Sequence, residues 1–223
     1  NGQGSQKNIT SNGDLLRYGG VPSSDGKWIA YDDLENNMYV LNISSGVSKK
    51  ISTNQECIGD FRWSPDNKWL AFVQTAFNTM TQIKIYNVEI GASFDLTTDR
   101  ANSFNPRWSP DGKFIYFLSD RNFKSLVGSP WGTRQPEPYF DVSEKIYHVA
   151  LKKGTRSPFR ENDELEVEDN REDTTPKKGK KKNKSKVKED SLIVNIDHVG
   201  IQKRIIEVPV KPGNYYGLEV SEK

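Results

Sequence analysis

One short phrase occurs three times along the chain. It reads Ser24-Asp25-Gly26-Lys27-Trp28-Ile29-Ala30-Tyr31, then Pro65-Asp66-Asn67-Lys68-Trp69-Leu70-Ala71-Phe72, then Pro110-Asp111-Gly112-Lys113-Phe114-Ile115-Tyr116-Phe117. The aspartates are spaced at 41 and 45 residues. Repeats at this period, each built of short strands, are the signature of β-propeller blades. A blade cannot bury its two faces alone, so the repeat constrains the fold strongly. It names no chemistry by itself.

Each copy has an apolar and aromatic strand before it, at 15–22, 58–63 and 104–108, and an alternating strand after it. Proline presets φ for the first corner of the turn, and aspartate can accept from nearby amides. Glycine supplies the left-handed residue that closes the hairpin, and Asn67 is the best non-glycine substitute there. The turn residues are therefore Asp25, Gly26, Asp66, Asn67, Asp111 and Gly112, all read as structural. A third strand carries one tyrosine per unit (Tyr39, Tyr86, Tyr147), at 37–43, 82–88 and 145–151. A fourth follows at 47–52 and 94–97, and in the third unit it is displaced to about residues 202–208.

The expectation is an all-β chain of four-stranded antiparallel blades, about three complete with partial ones at the ends. The blades run over 15–52, over 58–97, and over 103–151 plus 192–208. Residues 1–14 are a flexible start or the outer strand of a preceding blade, with Lys7 to Thr10 as that strand, and 209–223 begin a further blade, with Tyr215 to Val220 as its inner strand. A ring typically closes with four to eight blades, so three imply an incomplete ring with exposed edges that favour a homo-oligomer. The start at Asn1 reads as a mature terminus or a piece cut from something longer.

Residues 160–190 interrupt the third unit as a charged, disordered insertion. Glu161 to Asp173 is acidic and Thr174 to Lys188 is basic. A nucleic-acid or nuclear-targeting tail is one reading. A solvated surface loop is the other, and it is preferred because no aromatic interleaves the lysines. The 34% hydrophobic and 28% charged composition fits a partly solvated chain. The net charge of +2 carries no steering field for DNA. No apolar run reaches the ~20 residues of a membrane helix. The partner expectation is thus no nucleic acid and no membrane. The single cysteine, Cys57, allows no internal disulfide and reads as a buried strand thiol.

No catalytic residue is assigned. The two histidines, His148 and His198, stand apart from any Gly-x-Ser-x-Gly elbow or metal-ligand spacing, so no metal and no cofactor is expected. Trp63 and Trp108 read as packing between blades, and Trp28 and Trp69 as packing residues. The sequons at Asn8, Asn42 and Asn183 occur at chance frequency. The long 120–143 connection holds Trp131, Arg134, Tyr139 and Phe140, which are the candidate substrate contacts.

The phrases Trp63-Ser64-Pro65-Asp66 and Trp108-Ser109-Pro110-Asp111-Gly112-Lys113 resemble the TolB-type propeller repeat. Further stretches narrow the likeness: Leu151-Lys152-Lys153, Ser157-Pro158-Phe159, Ile196-Asp197-His198-Val199-Gly200-Ile201, and Val208-Pro209-Val210 leading to Gly213-Asn214-Tyr215. Their order resembles tricorn protease homologues, especially bacterial ones, from about residue 20 onward. That resemblance implies a propeller preceding a PDZ-like module and a serine peptidase core in one polypeptide. It implies that the propeller guides peptides or unfolded polypeptide and supports assembly with the core, in the cytoplasm or, alternatively, after export to the periplasm. The segment itself would be inactive. A TolB-like, protein-binding propeller without enzymatic activity is the alternative.

Overall fold

The computed structural model describes residues 8–10, 13–53, 58–122, 142–161 and 192–221. Among the described residues, twelve strands form three antiparallel sheets. The first contains β1 (Arg17–Pro22), β2 (Trp28–Asp33), β3 (Asn37–Asn42) and β4 (Ser48–Thr53), paired in chain order. The second contains β5 (Ile58–Trp63), β6 (Trp69–Thr75), β7 (Thr81–Asn87) and β8 (Ala92–Asp95). The third contains β9 (Ser103–Trp108), β10 (Phe114–Ser119), β11 (Lys145–Ala150) and β12 (Ile205–Glu207), the last reached through a short 3₁₀ turn over Ile201–Arg204. The all-β, four-stranded blade architecture is therefore present, with the outer strand of the third sheet returning after the insertion.

A buried serine organises each repeated turn. Ser23, Ser64 and Ser109 are almost fully buried. Their hydroxyls donate to Asp25, Asp66 and Asp111 at 2.7, 2.6 and 2.6 Å. The same oxygens accept from the amides of Trp28, Trp69 and Phe114 at 3.0, 3.0 and 2.9 Å. Each aspartate also accepts from the amide of the lysine two residues on. Gly26, Asn67 and Gly112 follow at φ of 69°, 59° and 67°, the left-handed region that the Asp-Gly phrase provides for. These bonds and left-handed residues close the β1–β2, β5–β6 and β9–β10 hairpins.

Alternation along β6 shows why the middle sheet is apolar throughout. Leu70 and Phe72 point to one face and join Met38, Val40 and Tyr86 in a core shared with the first sheet. Trp69 and Ala71 point to the other and join Ile115, Phe117, Tyr147 and Val149 from the third. Complete burial of a side chain such as Phe72 is worth about 1.5–3 kcal/mol. The sheets are joined at one edge. Trp63 Nε1 donates to the Val21 carbonyl at 2.9 Å, and Trp108 Nε1 to the Arg62 carbonyl at 2.9 Å. Donor and acceptor hold the same repeat positions in both cases. The tryptophans thus pack between blades as expected, and they also link each inner strand to the one before it.

The limb that returns from the insertion is built into the core. Val194 and Ile201 are buried between the second and third sheets. The Val194 amide donates to Asp66 at 2.9 Å, and Gln202 donates to the Asp95 carbonyl at 2.7 Å. Gly112 lies beneath this limb: a Cβ there would stand 2.7 Å from Val194 Cγ2. Residues 8–10 and 214–221 join no sheet, although Gly213 forms a bridge with Glu144. Cys57 and residues 162–191 lie outside the described residues.

Gly26 and Gly112 share one backbone conformation, but only open space surrounds Gly26. Gly26→Ala should lower stability by about 1 kcal/mol from left-handed strain alone. Gly112→Ala should cost about 1–3 kcal/mol more, because it also overpacks against Val194. Denaturant midpoints of the two variants check this, and equal losses would place the returning limb elsewhere.

Candidate functional site

The inner strands carry a second repeated device. Gly19, Asp60 and Asn105 have φ of 47°, 54° and 58°, each at a break in the ladder to the next strand. These β-bulges lie six residues before the turn aspartate in every copy. Bulges re-aim side chains at sheet edges. Here they expose a polar seam on the edge where the blades converge. Arg62 and Arg107 occupy one shared repeat position on it. Arg62 pairs with Asp60 at 2.9 Å. Arg107, nearly buried, reaches the same Asp60 at 3.3 Å and Glu219 at 3.2 Å. Each guanidinium also donates to the carbonyl of its preceding residue. Asn105 Oδ1 is buried with no hydrogen-bond partner. The seam is therefore a row of fixed charges beside one buried acceptor. Its signal in the sequence was there to be read, since Asp60/Asn105 and Arg62/Arg107 recur at the blade period.

A second concave feature lies on the face that carries the repeated turns. A cleft of about 520 Å³ is lined by Lys113, Phe114, Lys152, Arg156, Ile193 and Asn195, with Asp111 at its edge. A neighbouring one of about 630 Å³ is lined by Thr155, Arg156, Phe159, Arg160, Ile206 and Glu207. Thr155 and Arg156 belong to both. Partial burial pushes the Asp111 carboxyl up. The Ser109 hydroxyl and the Lys113 amide and ammonium outweigh it and hold the group below the ordinary carboxylate value. Glu207 is paired with Lys145.

The histidines are packing residues. His148 is fully buried, and neither ring nitrogen has a partner. Phe114, Tyr116 and Phe159 surround it at ring separations of 5.6, 5.7 and 5.4 Å. Burial lowers its pKa. His198 stacks on Phe94 at 4.3 Å. Asn42 accepts from Ser44 and Ser45 and so shapes the β3–β4 turn, as Asn87 does between β7 and β8. Trp131, Arg134, Tyr139 and Phe140 lie outside the described residues. Among the described residues no cluster of histidine, cysteine and carboxylate side chains could hold a metal ion, and no helix is long and apolar enough to cross a membrane.

The family model described as the tricorn protease second beta propeller domain matches residues 1–223. The chain belongs to this family. Among solved structures it is similar to the tricorn protease, with 20% identity and a TM-score of 0.65 over 90% of this chain and 18% of that one. It thus spans less than a fifth of that relative. TolB from Acinetobacter baumannii matches at 22% identity and a TM-score of 0.42, over 63% of this chain and 31% of that one. Dipeptidyl peptidase 4 from Porphyromonas gingivalis matches at 16% and 0.38, over 59% and 23%. No curated protein matches the chain.

Buried, neutral His148 gives a signed pH dependence. Above about pH 6.5 the histidine is neutral folded and unfolded alike. Below that value the unfolded chain binds the proton first, so stability falls with pH toward the lower native value. The unfolding free energy should therefore decline as pH drops through about 6.5, and His148→Phe should flatten that decline. An unchanged slope in the variant would place the titration elsewhere.

Proposed function

We propose that this chain is a non-catalytic part of the second propeller of a tricorn-like serine peptidase. In this reading it guides peptide substrates or products along its inner edge, toward or away from a peptidase core carried elsewhere on the same polypeptide. The observation that carries the reading is the polar seam of Asp60, Arg62, Asn105 and Arg107 on successive bulged strands. An extended peptide presents amides and carbonyls at strand spacing, and the seam offers guanidinium donors to match those carbonyls. Membership of the tricorn second-propeller family supports a role beside a peptidase rather than as one.

Assembly follows from the same geometry. Tyr31 stacked on Tyr39 lies on the face of the first sheet that, among the described residues, meets no neighbouring sheet. Further blades of the same polypeptide are the proposed cover, and a second copy is the substitute when those blades are missing.

A labelled, unstructured peptide of uncharged residues should bind the chain with a rise in fluorescence anisotropy and should emerge uncut by mass spectrometry. Arg62→Ala should weaken binding about fivefold, the loss of roughly 1 kcal/mol from one charge-assisted hydrogen bond. Cleavage by this chain, or no binding at all, would contradict the proposal.

A further inference from the structure

The two clefts beside the third sheet meet at Thr155 and Arg156, so they form one trough along the segment that follows β11. Four cations border it: Lys113, Lys152, Arg156 and Arg160, of which Arg156 already donates to the Arg160 and Glu161 carbonyls. Two carboxylates face it, and each already has a cation of its own. Asp111 pairs with Lys113 at 3.2 Å, and Glu207 pairs with Lys145 from outside the trough. The nearby Asp197 carboxylate accepts from the Lys153 amide at 2.8 Å, and the Arg204 guanidinium donates to the Asp197 main-chain carbonyl. The trough therefore keeps an excess of positive charge close to its walls.

Those walls are also apolar. Phe114 and Ile193 line one end, and Phe159, Ile206 and Pro209 line the other. Thr155 and Asn195 add uncharged hydrogen-bonding groups. Cations spaced along an apolar floor suit a chain whose charges are separated by neutral backbone. A phosphodiester strand, with a charge on every unit and no apolar backbone, makes less use of the Phe159 and Ile206 floor.

We propose that this trough binds an extended acidic peptide segment, with its carboxylates along Lys113, Lys152 and Arg160 and its backbone over Phe159 and Ile206. The inference rests on the peptide-handling reading above and adds a preference to it: peptides rich in glutamate or aspartate are held on the turn-bearing face, away from the inner-edge seam. Carboxylate pairing with lysine and arginine is charge-assisted and screened by salt.

The test uses two fluorescein-labelled peptides of equal length, one alternating glutamate with glycine and one alternating glutamine with glycine. Their anisotropy is followed with the complete 223-residue chain. The glutamate peptide should bind about tenfold more tightly, a difference that shrinks as salt is raised. The double variant Lys113→Gln, Lys152→Gln should abolish the preference and leave the glutamine peptide unaffected. Both lysines are exposed and neither belongs to a core cluster, so the variant should fold, which a circular dichroism melt verifies. Arg62→Ala should weaken the glutamine peptide, which the seam holds, and leave the glutamate peptide on the trough. Equal binding of the two peptides would overturn the acidic preference while leaving peptide handling in place. Failure of both to bind would overturn the peptide-handling reading and the preference with it. Tighter binding of a single-stranded oligonucleotide of matched charge would overturn the peptide assignment. So would a glutamate peptide that binds only after Glu164, Glu166 and Glu168 are changed to glutamine, because the chain's own acidic block would then be the occupant.

Discussion

The indole hydrogen bond from one inner strand to the carbonyl of the preceding one is the contact on which the rest of this structure depends. Trp63 and Trp108 make it at equivalent positions, to Val21 and Arg62. A four-stranded sheet of this kind has two apolar faces and cannot stand alone in water. The middle sheet satisfies both, with Leu70 and Phe72 on one side and Trp69 and Ala71 on the other. The tryptophan bonds hold the converging edges in register so that these faces meet. They also determine where the bulged residues Asp60 and Asn105 come to lie, and hence the polar seam.

The returning limb of the third blade adds a second kind of closure. An insertion between the third and outer strands would ordinarily weaken a blade, since the outer strand must be recovered after a long excursion. Here Val194 and Ile201 enter the core before β12 begins, and Val194 reaches back to the turn aspartate of the previous blade. The outer strand is therefore guided by packing that precedes it. The trough beside this limb exists because the Thr155–Arg160 segment folds over the same sheet and sets Phe159 against His148.

Much of the fold was legible in the repeat. The serine, aspartate and glycine pattern is local, and its hydrogen bonds lie within five residues, so a short phrase specifies the turn. The strands that flank it follow from alternation. The bulges were less visible because a left-handed aspartate or asparagine carries no unique local signature. They emerge only when Gly19, Asp60 and Asn105 are compared across copies. The trough was not legible at all: Lys113 and Lys152 are brought together by pairing of β10 with β11, a long-range event. The core role of Val194 and Ile201 was obscured by their position after a run of lysines.

The central claim is that the inner-edge tryptophan couples neighbouring blades into one cooperative body. Hydrogen exchange of the backbone amides in the native chain and in Trp108→Phe measures this directly. The claim predicts that protection falls together in β5–β8 and β9–β12 when the indole donor is removed, by about 1 kcal/mol in opening free energy. Loss of protection confined to β9–β12, with β5–β8 unchanged, would contradict it.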